Sequence, residues 1–235
     1  MKKDRIWELD ALRGVCILGM IAVHFIFDLV FFDGFALTLP GWFFYVQQYG
    51  GLLFVLLSGL CATLGTKTLR RGAIVFAAGM AVSYVTLFGD YVVGITGVRI
   101  WFGILHLLGL CMLLYPLLRR LPWWALALLG AAAVALGLWM NGVRVSADYL
   151  FPLGLRSGKI FTGSDYFPIF PGLGWFLLGA ALGKTVYRKQ RTLWPNAPAE
   201  HVIFRFFRFC GRHSLEIYLL HQPILLGIAL LISRF

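Results

Sequence analysis

One stretch constrains this chain more than any other: a membrane-length apolar run that carries an arginine, a histidine and an aspartate in phase. Residues 9–28 read LDALRGVCILGMIAVHFIFD. As a helix, Arg13 and His24 lie 11 positions apart, about three turns and roughly 16 Å of rise, with an angular offset of only ~20°. Asp28 follows His24 at the i,i+4 spacing that lets two side chains meet. Polar groups in line on one face are costly in lipid, so they face a bundle interior or a water-filled path. Their default reading is functional.

The rest of the chain fits a membrane setting. Of 235 residues 60% are hydrophobic and 13% charged, half the charged fraction of about 25% usual in soluble domains. A single all-α membrane domain over 1–235 is expected. The first apolar run is too long for a cleaved leader and lacks a small-residue cleavage site, so it reads as a retained helix. The formal net charge of +11 would suggest nucleic acid in a soluble protein. Here Lys and Arg cluster in a few short loops, as orientation by the positive-inside rule requires, and no nucleic-acid partner is expected. A basic cytoplasmic face also suits an anionic ligand or lipid headgroups.

About seven spans (six to eight) follow, near 11–32, 42–65, 73–93, 100–118, 122–140, 167–186 and 215–232. The loop 33–40 has no Lys or Arg. Lys67, Arg70 and Arg71 follow the second span, Arg119 and Arg120 the fourth, and Lys184, Arg188, Lys189 and Arg191 the sixth. This places the N-terminus in the cytoplasm and the C-terminus outside. Residues 141–166 form a longer external segment with Arg144, Arg156 and Lys159. The stretch EHVIFRFFRFCGR alternates aromatics with arginines, as interfacial helices do.

His24 is the leading candidate for chemistry, because a mid-membrane imidazole can serve as a general base near neutral pH. Asp28 can take its other ring proton and fix the tautomer, as the acid of a triad does. Arg13, with Asp10 a turn before it and Gly14 beside it, suits an anion or carbonyl, or snorkels to headgroups. Arg99 and His106, seven apart, form a second polar stripe with Gly103 between them; His106 reads first as packing and second as cavity lining. Asp165 stands at the mouth of the sixth span as an acceptor contact or a helix N-cap. Pro168, Pro171, Gly172 and Gly174 there argue for a broken helix start. His221, with Gln222 and Pro223, reads as structural support. Cys16, Cys61, Cys111 and Cys210 are scattered singly, and no metal-ligand spacing appears.

The pattern LDALRG…H, with ten residues between Arg13 and His24, resembles the first helix of the transmembrane acyltransferase superfamily, which includes the O-acyltransferases of bacterial surface polysaccharides. With H-x-x-x-D in the same helix it is similar to the branch containing the heparan-alpha-glucosaminide N-acetyltransferase catalytic domain and small bacterial relatives. FVLLSGLCATLG, VRIWFGILHLLGL, DYFPIFPGLGWFLLGAALG and SLEIYLLHQPI follow in the family's order. The resemblance implies an acyl-CoA-dependent O- or N-acyltransferase of the bacterial cytoplasmic membrane. It would pass an acyl group, usually acetyl, from cytosolic acetyl-CoA to a hydroxyl or amine of a sugar or glycoconjugate outside, without a metal. By that likeness His24 activates the acceptor or carries the acyl group, with Asp28 beside it. Arg13 holds the CoA end or the thioester carbonyl. Arg70, Arg71, Arg119, Arg120, Lys184 and Arg188 form a cationic mouth for CoA, and the acceptor passes Arg99, His106 and Asp165. The chain departs from the larger polysaccharide enzymes in having fewer than ten spans. His106 also stands where the lysosomal branch more often has another polar residue.

Two other readings use the same residues. A transporter of a small anion or sugar would run its path along the polar face, but should show inverted halves, and no internal repeat is visible. A non-catalytic assembly protein would use Arg13, His24 and Asp28 only to hold helices together.

Overall fold

The computed structural model describes residues 6–31, 39–93, 99–157 and 165–232. The basic start at Lys2, Lys3 and Arg5, most of the loop after Asp33, the turn with Gly94 and Gly97, and Lys159 and Ser164 lie outside these residues. Among the described residues helix is the only regular structure, apart from one isolated bridge, Arg144 to Arg156. The helices are α1 (Trp7–Phe31), α2 (Gly41–Leu64), α3 (Thr68–Val93), α4 (Ile104–Leu118), α5 (Trp123–Asn141), α6 (Ile169–Thr185), α7 (Val202–Arg212) and α8 (Ser214–Ile232). Four, α1, α2, α3 and α5, are long and apolar enough to cross a membrane.

The expected fourth and sixth spans are shorter as helices, for local reasons. In α4 the helix begins at Ile104 because residues 100–103 are held in a loop. Ile100 N–H donates to Thr86 Oγ1 (3.2 Å), and Ser83 Oγ donates to the Ile100 carbonyl (2.6 Å). In α6, Pro168 is the N-cap residue and Phe170 has non-helical φ −107°, ψ 125° ahead of Pro171. The broken start expected from the Pro and Gly residues is therefore present.

The chain divides into two compact units, Met1–Phe54 with Lys189–Phe235, and Val55–Arg188. In the first, α7 crosses α1 at two glycines. A Cβ on Gly14 would run into the Phe207 carbonyl, and one on Gly211 into the Asp10 carbonyl. Small residues let helix backbones approach where lipid supplies no hydrophobic drive between them. Glu8 locks the approach to α1 by accepting from Thr192 Oγ1 and Leu193 N–H, both at 2.8 Å. α7 leaves Val202, Ile203, Phe206 and Phe209 exposed with Arg205 and Arg212 beside them, the two-faced surface of an interfacial helix. α8 runs parallel to α1: Arg13 meets Ser214, His24 meets His221 and Asp28 meets Gln222.

Among the described residues the largest fully buried side chains, Phe176, Leu107, Leu126, Val55 and Cys111, all lie in the second unit. Its helices again touch through glycine. Gly72 lies against Met112 and Leu113, and Gly79 against His106, so α3 and α4 run antiparallel. Gly130 meets Gly174 and Gly137 meets Pro171, so α5 and α6 do likewise. These directions bring the C-terminal ends of α2, α4 and α6 together with the N-terminus of α3. The segment 141–157 carries a short 3-10 turn, Asp148–Leu153, closed by Gly154 at φ 114°.

Candidate functional site

His24 sits on the face of α1 that meets α8. Its Nδ1–H donates to the Met20 carbonyl at 2.9 Å. A carbonyl only accepts, so the neutral ring carries its proton on Nδ1 and keeps a lone pair on Nε2. The Met20 carbonyl thus fills the tautomer-fixing role expected of Asp28. Helical side chains lean toward the N-terminus, so the ring reaches back over its own preceding turn rather than forward. Asp28, only 4% exposed, accepts from Gln222 Nε2 of α8 at 3.1 and 3.4 Å.

His221 stands edge-on to His24, with ring centroids 5.1 Å apart and planes at 79°. Its Nδ1–H donates to the Tyr218 carbonyl at 2.5 Å. Its Nε2 and the Gln222 Oε1 are buried acceptors with no hydrogen-bond partner among the described residues. Arg13 lies toward the start of α1. It donates to Ser214 Oγ (3.4 Å) and lies 5.7 Å over the Phe54 ring, while its buried Nε has no partner among the described residues. The Asp10 carboxylate is taken by Arg212 at 3.1 Å. The first unit thus gathers Arg13, His24 and Asp28 with His221 and Gln222 of α8. Sequence reasoning places the last two in a supporting role. A signal was present, since a His-Gln pair within an apolar helix is expensive unless something engages it.

In the second unit, Arg99 and Asp165 line one recess with Tyr166, Phe102 and Phe151. The recess holds about 10 Å³, room for roughly one water. Arg99 pairs with the buried Asp90 carboxylate. Tyr166 donates to the Phe151 carbonyl at 2.5 Å and lies under Arg156. Burial raises the Tyr166 phenol above its usual value, with the Arg156 charge and hydrogen bond opposing. Asp165 is buried against Gly103, while the N-cap of α6 is Pro168.

His106 is 3% exposed and both its ring nitrogens are engaged. Nδ1 accepts from Gly103 N–H at 3.2 Å, so the neutral ring carries its proton on Nε2, which faces Ser83 Oγ at 3.4 Å. The ring stacks on Phe102 and meets Phe76 edge-on. His106 therefore organises the loop before α4.

The cations Arg70, Arg71, Arg119, Arg120 and Arg188 are exposed and, with Lys184, gather at the end of the second unit where α2, α4 and α6 finish. Lys184 Nζ donates to the Arg119 and Leu121 carbonyls at 2.6 and 2.5 Å. Two of its three donors thus close the C-terminal end of α4. Among the described residues no group of three or more His, Cys, Asp or Glu is placed to hold a metal ion.

The profile of the heparan-alpha-glucosaminide N-acetyltransferase catalytic family matches residues 5–223. The chain belongs to that family. The matched region runs from the approach to α1 to Pro223, and so includes every residue gathered along α1 and α8. Family membership makes the chain an acyltransferase in general terms, and the apolar helices of this heparan-alpha-glucosaminide N-acetyltransferase catalytic domain relative suit an integral membrane protein. Comparison with curated proteins and with solved structures found no match.

Proposed function

We propose that the protein is a membrane acyltransferase that takes an acyl group, acetyl in the first instance, from cytosolic acyl-CoA. It delivers the group to a hydroxyl or amine of a sugar or glycoconjugate at the extracytoplasmic side of a bacterial cytoplasmic membrane. The N-terminus is cytoplasmic in this reading. His24 is the reactive group, as general base or as acyl carrier. The observation that carries this is its tautomer: Nδ1–H is committed to Met20, leaving the Nε2 lone pair for an acidic proton or a carbonyl carbon. Arg13 steadies the thioester carbonyl or the CoA end. Arg70, Arg71, Arg119, Arg120 and Arg188 supply positive charge for the CoA phosphates. Lys184 contributes charge while it closes α4. Arg99 and Asp165, at the opposite end of the second unit, are proposed to meet the acceptor on its way in.

The test is thermal stability of the detergent-purified protein with acetyl-CoA, for wild type and His24→Ala. A ligand that binds only the folded state raises stability by mass action, by about 2.7 kcal/mol at a hundred times its Kd. A shift that survives His24→Ala, together with loss of acetyl transfer in that variant, supports a CoA site in which His24 does chemistry. No shift with acetyl-CoA, longer acyl-CoA or free CoA overturns the reading in favour of the transporter.

A further inference from the structure

The histidine on α8 repeats the histidine on α1. Each ring donates Nδ1–H to a carbonyl of its own helix, Met20 for His24 and Tyr218 for His221. Each neutral ring therefore holds its lone pair on Nε2. The rings touch edge to face, so the two imidazoles are neighbours across the α1–α8 contact. Among the described residues His221 Nε2 is buried without a donor, and so is the Oε1 of the neighbouring Gln222. The Gln222 amide is oriented by Asp28, which accepts from its Nε2 and leaves Oε1 for another partner. Buried acceptors are almost always satisfied in folded proteins, and two on neighbouring residues, each beside a polar residue of α1, mark a place for a group that brings donor hydrogens. The buried carboxylate of Asp28 disfavours a phosphate or carboxylate there, so the group is a hydroxyl or an amine.

We infer that His221 is a second catalytic imidazole, which takes the proton of the acyl acceptor while His24 carries the acyl group, and that Gln222 Oε1 receives a further donor hydrogen of that acceptor. The inference rests on the acyltransferase reading and assigns the two chemical tasks within it. With the acyl group on His24 Nε2, the acceptor oxygen or nitrogen forms a bond to the acyl carbon. The bond from that carbon to Nε2 breaks and its electron pair returns to His24. The O–H or N–H proton moves to His221 Nε2. The thiolate set free when acyl-CoA loaded His24 gains one proton, matching the one that His221 gives up when it resets.

The experiment uses the full chain in detergent with acetyl-labelled acetyl-CoA and two acceptor probes. Hydroxylamine is neutral at pH 7, nucleophilic, and needs no base; D-glucosamine presents both an amine and hydroxyls. Wild type should acetylate both, and His24→Gln neither. His221→Gln keeps an acceptor atom and loses the base. It should retain hydroxylamine transfer within about threefold and lose glucosamine transfer by roughly 100-fold or more, the usual weight of a general base. Equal loss with both probes, no loss with either, or a wild type active on hydroxylamine alone overturns the inference. A wild type inactive on both overturns the acyltransferase reading itself. A second readout needs no acceptor. Nitrogen-15 spectra of the five histidines at pH 8 should show two Nδ1–H tautomers, one lost in His24→Gln and the other in His221→Gln. An Nε2–H tautomer at either position refutes the arrangement.

Discussion

The α1–α7 crossing makes a prediction that pits two opposed effects of one substitution against each other. Replacing a helical glycine by alanine should stabilise, since glycine is about 1 kcal/mol the poorer helix former. At Gly14 the new methyl would collide with the Phe207 carbonyl. That obstacle is backbone, so no side-chain rotation relieves it and the helices must part. Overpacking of this kind costs about 1–3 kcal/mol, so the collision outweighs the propensity gain. At Gly19, in the same helix, a methyl would meet nothing within 4 Å among the described residues, so there only propensity acts. Gly211→Ala meets the Asp10 carbonyl at the same crossing. Once Gly14→Ala has parted the helices, Gly211→Ala should cost less, a coupling of about 0.5–3 kcal/mol. The assay is thermal unfolding in detergent followed by tryptophan fluorescence, where about 1 kcal/mol moves Tm by roughly 2–4 °C at this size. Gly14→Ala should lower Tm, Gly19→Ala should hold or raise it, and the double Gly14→Ala/Gly211→Ala should fall short of the sum. Equal shifts for Gly14→Ala and Gly19→Ala, or strict additivity at the crossing, would refute the close approach.

Ser83→Ala leaves the His106 Nε2–H without its acceptor and frees the Ile100 carbonyl; a loss of about 1–3 kcal/mol is expected, read as Tm, with acetyl-CoA binding intact. Lys184→Met removes the donors from the Arg119 and Leu121 carbonyls and should cost roughly 1 kcal/mol. In acetyl-CoA titrations it should matter less than Arg70→Ala or Arg71→Ala. Tyr166→Phe loses the bond to the Phe151 carbonyl, about 0.5–1.5 kcal/mol. Because burial holds this phenol above its ordinary value, the neutral form is favoured in the folded state. Its contribution should be complete below about pH 10 and decline as pH rises beyond it, and ultraviolet titration of wild type against Tyr166→Phe checks the direction. The Glu200 carboxyl is held below its usual value by the hydrogen bond and charge of Arg208. Any stabilisation from that pair should be present above the unfolded carboxylate range and fade as pH falls through the lower folded value. Comparing Glu200→Gln with wild type at pH 3 and pH 7, in low and high salt, tests it, since an exposed pair is screened.

Much of this architecture is legible because membrane helices are written locally. Apolar runs, basic loop ends and the Pro168–Pro171 break carry their meaning within a few residues, and the helices fall where those signals put them. The shortening of α4 is hidden for the opposite reason. Residues 100–103 leave the helix because Ser83 and Thr86, some fifteen residues earlier on α3, bond to Ile100, and no pattern around Ile100 announces that.

The same divide separates what is legible at the site from what is not. Spacing within α1 puts Arg13, His24 and Asp28 on one face, but says nothing about the helix that covers it. That α8 lies there, and in parallel, follows from the paired contacts of Ser214, His221 and Gln222 with those three residues. Parallel first and last helices require an even number of reversals between them, which an odd count of spans provides and an even count forbids. Seven crossings satisfy this if α7 stays at the surface, as its exposed apolar and arginine faces suggest. Six or eight crossings would set α8 against α1 head to tail. Ser214 would then lie near Asp28, and Gln222 near the Arg13 end. The His24–His221 contact is thus a check on topology as well as a clue to chemistry, and one engineered cross-link reads both. Cysteines placed at Arg13 and Ser214 in a chain stripped of Cys16, Cys61, Cys111 and Cys210 should be joined by a short bismaleimide that spans the length of the arginine side chain, whereas cysteines at Asp28 and Ser214 should not.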